Sequence, residues 1–109
     1  MSTDQPPTID GATFGFQAEL WESSTEGTTW VFVTVPEDQS DEIADLAPTK
    51  AGFGSVRVEV TIGATRWRTS LFPDSKAGAY VLPLKKAVRT AEGLDIGASA
   101  DIELTLIQT

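Results

Sequence analysis

The stretch Ser55-Val56-Arg57-Val58-Glu59-Val60-Thr61-Ile62-Gly63-Ala64-Thr65-Arg66-Trp67-Arg68-Thr69-Ser70-Leu71-Phe72 decides the fold. Val56, Val58, Val60 and Ile62 alternate with Arg57, Glu59 and Thr61. After Gly63-Ala64 the alternation resumes, with Thr65, Trp67, Thr69 and Leu71 against Arg66, Arg68, Ser70 and Phe72. A period of two marks a strand with one dry face and one wet face. Gly63 supplies the positive φ needed at the first central position of a type II′ turn, so Gly63-Ala64 reads as a two-residue hairpin loop. Val56 then opposes Leu71, Val58 opposes Thr69 and Val60 opposes Trp67 on the dry side. On the wet side Glu59 opposes Arg68, a pair worth ~0.2–1 kcal/mol, and Thr61 opposes Arg66. A slip of one residue would carry arginines into the core, so the register is strongly specified.

The flanking segments extend the same pattern. Phe14, Phe16, Ala18 and Leu20 alternate with Gly15, Gln17, Glu19 and Trp21, which predicts a first strand. After the turn Ser23-Ser24-Thr25-Glu26-Gly27, the run Thr28-Thr29-Trp30-Val31-Phe32-Val33-Thr34-Val35 is β-branched and aromatic almost throughout. It predicts a strand covered on both faces and ended by Pro36. Residues 40–47 read as a two-turn helix, with Ser40 as its cap, Ile43, Leu46 and Ala47 as its apolar stripe, and Pro48 as its stop. Its acids lack the turn glycine and regular oxygen spacing of a calcium loop, so they read as a solvated face.

Residues 79–83 predict another strand, where Pro83 marks either a sheet edge or the change to a helix. Leu84, Ala87, Val88 and Ala91 fit an amphipathic helix over residues 84–92 that carries Lys85, Lys86 and Arg89 outward and ends at Gly93. Ala100, Ile102, Leu104 and Leu106 alternate with acids in a last strand. The fold class expected is mainly β: a small six-stranded β-barrel over residues 13–109, with two short helices as plugs or lids. Residues 1–12, polar and holding Pro6 and Pro7, read as a disordered tail.

Composition narrows the chemistry. The 109 residues suit one domain, since chains divide into several only at roughly 250–300 residues. Cys and His are both absent, which removes disulfides, thiol nucleophiles and the commonest general base and metal ligand. No run approaches the ~18 apolar residues of a membrane span, and the N-terminus lacks a basic and an apolar region, so a soluble cytoplasmic protein is expected. Gly52-Phe53-Gly54 is too short for a phosphate loop and precedes a strand. Tyr80 and the serine and lysine side chains stand in no spacing that specifies catalysis, so neither an enzyme, a cofactor nor a metal site is expected.

Charge is segregated along the chain. The net charge is −8, yet residues 1–49 hold ten acids and no Lys or Arg, while residues 50–89 hold all eight basic residues. An acidic whole disfavours sequence-independent nucleic-acid binding. Acidic and basic segments packed side by side would account for the pattern without any function. The functional reading is a local positive face: Arg57, Arg66 and Arg68 share the outer side of the hairpin, and Lys86 and Arg89 share the outer side of the second helix. If that helix packs near the hairpin, these form one surface for phosphate or carboxylate groups. Trp67 falls on the dry side, as core. Trp21 and Phe72 point away from it, to line a groove, meet a second copy or lie under a helix.

Several segments together resemble the domain of unknown function 1905 family. They are Trp30-x-Phe32 with Pro36, Gly52-Phe53-Gly54-Ser55-Val56-Arg57-Val58, Thr61-Ile62-Gly63, Trp67-Arg68-Thr69-Ser70-Leu71-Phe72-Pro73, Gly78-x-Tyr80-Val81-Leu82-Pro83 and Lys86-x-Val88-Arg89. The resemblance spans residues 14–107 and implies a β-barrel of the double-split type, related in shape to bacterial transition-state and antitoxin DNA-binding domains. Some relatives carry the domain fused to one associated with bacteriocin protection. No catalytic residues follow from it. Ala64 and Ala98 depart from the family pattern, standing where Gly and Asp are common. The function expected is a non-enzymatic module binding an anionic small molecule or protein segment through Arg57, Arg66, Arg68, Lys86 and Arg89. The alternative is a nucleic-acid-binding domain of the transition-state-regulator kind, and pairing into a homodimer is open to either.

Overall fold

In a computed structural model, residues 12–47 and 54–107 are described. The chain forms strands β1 (Thr13–Glu19), β2 (Trp21–Thr25) and β3 (Thr28–Thr34), helix α1 (Glu37–Leu46), strands β4 (Val56–Ile62), β5 (Thr65–Asp74) and β6 (Ala79–Pro83), helix α2 (Lys86–Glu92) and strand β7 (Ser99–Leu106). The strands make one antiparallel sheet in the order β1-β7-β4-β5-β6-β3-β2. It curls into a half-barrel, so the mainly β fold with two helices stands as expected. The expected tail lies outside the described residues except for Ala12, whose carbonyl accepts the Leu106 N–H.

The central hairpin has the register its sequence predicts: Val56 pairs with Leu71, Val58 with Thr69, Glu59 with Arg68, Val60 with Trp67 and Thr61 with Arg66. Gly63 takes φ of 57° and Ala64 has no positive φ, which is why Ala is tolerated at the second turn position. β4 also pairs with β7, and Val58, Val60, Leu71 and Leu104 are wholly buried on the concave side.

Seven strands replace the expected six because the first one breaks at Leu20. There the backbone leaves the ladder: the Leu20 N–H donates to the Ala98 carbonyl at 2.9 Å, and its carbonyl accepts the Gly97 N–H at 2.8 Å. β1 and β2 therefore become opposite ends of the sheet although one residue joins them, which ties the two ends of the curl together through the buried Leu20 side chain. β5 is the other shared strand. Its first part pairs with β4 and its last residues, from Phe72, pair with β6.

Two local readings are corrected, those of α1 and of the run leading to Pro36, and of the two readings of Pro83 the change to a helix holds. α1 begins at Glu37 rather than Ser40; Pro36 occupies the cap position, and Ser40 is a buried residue inside the helix. β6 is an inner strand between β5 and β3, and Pro83 marks its end, where the Leu84 N–H still reaches the Val31 carbonyl. The run leading to Pro36 is covered on one face only: Val31, Val33 and Val35 are buried, whereas Trp30 is 52% exposed. α2 starts at Lys86 and ends at Gly93 in the left-handed conformation, with Val88 in the core. Among the described residues no helix is long and apolar enough to cross a membrane.

Candidate functional site

The five cationic side chains fall into two groups. Arg57, Arg66 and Arg68 project from the convex face of β4 and β5, all exposed. Arg68 Nε lies 3.7 Å from Glu59 Oε2, and its side chain is 66% exposed, so the pair is solvated and worth about 0–1 kcal/mol. Among the described residues Arg57 and Arg66 form no ion pair. The face therefore carries more positive than negative charge locally.

Lys86 and Arg89 lie elsewhere. α2 does pack at the hairpin, but against its concave side: Val88 enters the core, and Thr65 Oγ1 donates to Glu92 Oε2 at 2.6 Å. Thr65 shares the inward parity of Trp67 and Leu71, so the sheet itself separates α2 from the arginines. The single positive surface that the sequence allows is thus two separate ones. Arg89 is half-buried and donates from Nε to the Leu84 carbonyl at 3.2 Å. With Lys86, Leu94 and Asp95 it borders a recess of about 320 Å³.

Convex aromatics form the feature that sequence reasoning only half found. Trp21 and Phe72 point outward as expected, and Trp30 and Phe32 join them. The Trp21 and Phe32 rings lie 5.0 Å apart, and Trp30 and Phe32 stack at 6.4 Å with planes 17° apart. Trp21 is fixed by its indole N–H, which donates to Thr34 Oγ1 at 2.9 Å. Ser23, Thr25, Trp30, Phe32, Phe72 and Pro83 line a groove of about 370 Å³. The signal was present in the parity of residues 30–35: valines at odd positions inward, Trp30 and Phe32 outward. Trp67 packs partly buried against the core, as its place on the dry side requires.

A third recess, about 400 Å³, lies between α1 and the β5–β6 turn, with Tyr80 in its wall beside Asp41, Asp74 and Ser75. Burial pushes the Tyr80 phenol above its ordinary value, so at neutral pH it is a protonated group and not a base. Among the described residues no cluster of three or more potential metal ligands occurs.

The geometry defines a class: a small curled β-domain with helices on the concave side and an aromatic and cationic convex face. The sequence profile of the domain of unknown function 1905 (DUF1905) matches residues 16–104, and the chain belongs to that family. A comparison with curated proteins found no match.

Proposed function

We propose that this domain is a non-enzymatic binding module whose convex face captures an anionic group, a small-molecule anion or an acidic protein segment, through Arg57, Arg66 and Arg68. The observation that carries this reading is the exposure of these guanidinium groups on neighbouring strands, of which, among the described residues, Arg68 alone has an ion-pair partner, Glu59. Arg side chains suit the task because their planar donors match carboxylate and phosphate oxygens in pairs. The strands fix the backbone beneath them, so the ordering that accompanies binding is confined to the arginine side chains. Lys86 and Arg89 stand outside this face, and Arg89 serves the Leu84 carbonyl.

Titration with poly-glutamate, followed by amide and guanidinium NMR shifts, tests the reading. Shifts should gather on Arg57, Arg66 and Arg68 and vanish in the Arg57→Gln/Arg66→Gln variant. Shifts confined to Lys86 and Arg89, or none, would refute it.

A second reading is nucleic-acid binding. What favours it is the pair of exposed rings, Trp30 and Phe72, on the arginine-bearing face, since bases stack on such rings. Against it stand the net charge of −8 and the carboxylates of Glu59 and Glu103 in adjoining strands. Affinity for single- or double-stranded oligonucleotides that falls steeply with salt would support it.

A further inference from the structure

The aromatic groove and the arginine face are one continuous surface. Along the convex side of β5, Phe72 is followed by Ser70, Arg68 and Arg66, and Arg57 stands directly across from Ser70. Ladder geometry puts the Arg57 Cβ about 5 Å from that of Ser70 and about 7–8 Å from that of Phe72, within reach of a long side chain. Phe72 and Arg68 are separated by about 13 Å, the length of about four extended residues. The groove is open and apolar, and the arginines begin one ladder step beyond Phe72, where Arg57 faces Ser70. Val81, which pairs with Phe72 and Thr34 and stands outside the core cluster, is buried on the convex side, yet Trp30 and Phe72 remain 52% and 41% exposed.

The geometry points to a specific occupant: an extended segment of a partner protein that sets an aromatic, proline or leucine anchor into the groove and places Asp or Glu two to four residues away on Arg57 and Arg68. This inference rests on the arginine reading above and adds the identity of the partner. Charge complementarity supports an acidic segment, because among the described residues Arg57 and Arg66 form no ion pair. The row across the sheet favours a peptide over a polyphosphate chain. From Arg66 it passes Thr61 to Glu103, and Arg68 faces Glu59, so a chain charged at every unit meets carboxylate along or across β5, whereas a segment with one or two acids sets them on the arginines alone. The groove needs an apolar side chain to fill it, since four of its six lining residues are Trp30, Phe32, Phe72 and Pro83.

The test is selection from a displayed random-peptide library against the full-length protein, followed by affinity measurement with a synthetic peptide of the enriched sequence. Enriched sequences should combine an apolar anchor with Asp or Glu two to four positions away. Trp30→Ser and Arg57→Gln should each weaken that peptide by about tenfold or more, in proteins whose urea unfolding midpoint is unchanged. Enrichment of acidic sequences without an anchor, insensitive to Trp30→Ser, would overturn the groove while leaving the arginine reading intact. Anchored sequences without acids, insensitive to Arg57→Gln, would overturn both. Self-association abolished by Trp30→Ser would give the groove to a second copy of the chain. Displacement of the peptide by oligo-dT at low salt would give it to nucleic acid. Either result ends the proposal.

Discussion

The Ser40 hydroxyl accepts the backbone N–H of Tyr80 at 3.0 Å, and so binds α1 to β6 across 40 residues of sequence. The same oxygen donates to the Val35 carbonyl at 3.2 Å, and Ser40 is 3% exposed. Ser40→Ala would leave both backbone groups without this partner where water has little access. A loss of about 1–3 kcal/mol is expected, read as a lower urea midpoint with an unchanged slope. An unaltered midpoint would mean that α1 is held by Ile43 packing alone.

Gly63 meets two demands at once. Its φ of 57° is a conformation that disfavours a side chain, and an added Cβ would run into the Glu92 carboxylate, which Thr65 holds in place. Gly63→Ala should destabilise by about 1–3 kcal/mol. Combined with Glu92→Ala, it should recover part of that loss, because the collision is removed while the backbone strain stays. Strict additivity in the double-mutant cycle would show that the carboxylate simply swings aside.

Glu59 offers a gain rather than a loss. The carboxylate sits 3.7 Å from Arg68 in a solvated pair, so Glu59→Gln should change stability by less than about 1 kcal/mol. It also removes the negative charge from the proposed binding face. Poly-glutamate should therefore bind the variant more tightly, with the difference shrinking as salt is raised. Weaker binding would show that Glu59 positions Arg68 rather than opposing the ligand.

What the sequence disclosed and what it withheld divide along physical lines. The hairpin register was legible because Gly63 sets the turn and the valine and arginine rows can face only one way each. The break at Leu20 was not, since the apolar alternation runs through it. Only the distant carbonyl of Ala98 and the N–H of Gly97 reveal why the strand divides. Ser40 misled for a related reason: a serine before an acidic turn has the local features of a cap, and its actual partner is Tyr80. For the candidate site, parity placed Arg57, Arg66 and Arg68 outside correctly. It could not show which side of the sheet α2 would take, and that choice, set by Val88 entering the core, parts Lys86 and Arg89 from them. The parity of residues 30–35 sets Trp30 and Phe32 opposite the valines, but not their exposure, because a β-branched and aromatic run looks the same whether its second face is covered or bare.

Tyr80 gives the protein an alkaline limit that can be read on one chromophore, since the sequence contains one tyrosine. Its pKa in the folded state is raised above 10.0 by burial, and the unfolded chain titrates at the ordinary value. Below pH 10.0 both states hold the proton, and the stabilisation is fully present. Above that pH the unfolded state loses its proton first and binds fewer protons than the native state, so unfolding free energy falls as pH rises until the folded phenol also ionises. The urea midpoint should therefore decline on the alkaline side. Tyrosinate absorbance of the native protein should rise at higher pH than that of the urea-unfolded chain. Tyr80→Phe should flatten this component while leaving the neutral-pH fold in place, because the ring still fills the core beside Leu82. A native absorbance titration that overlays the unfolded one would mean that the phenol meets water freely through the cleft between α1 and the β5–β6 turn.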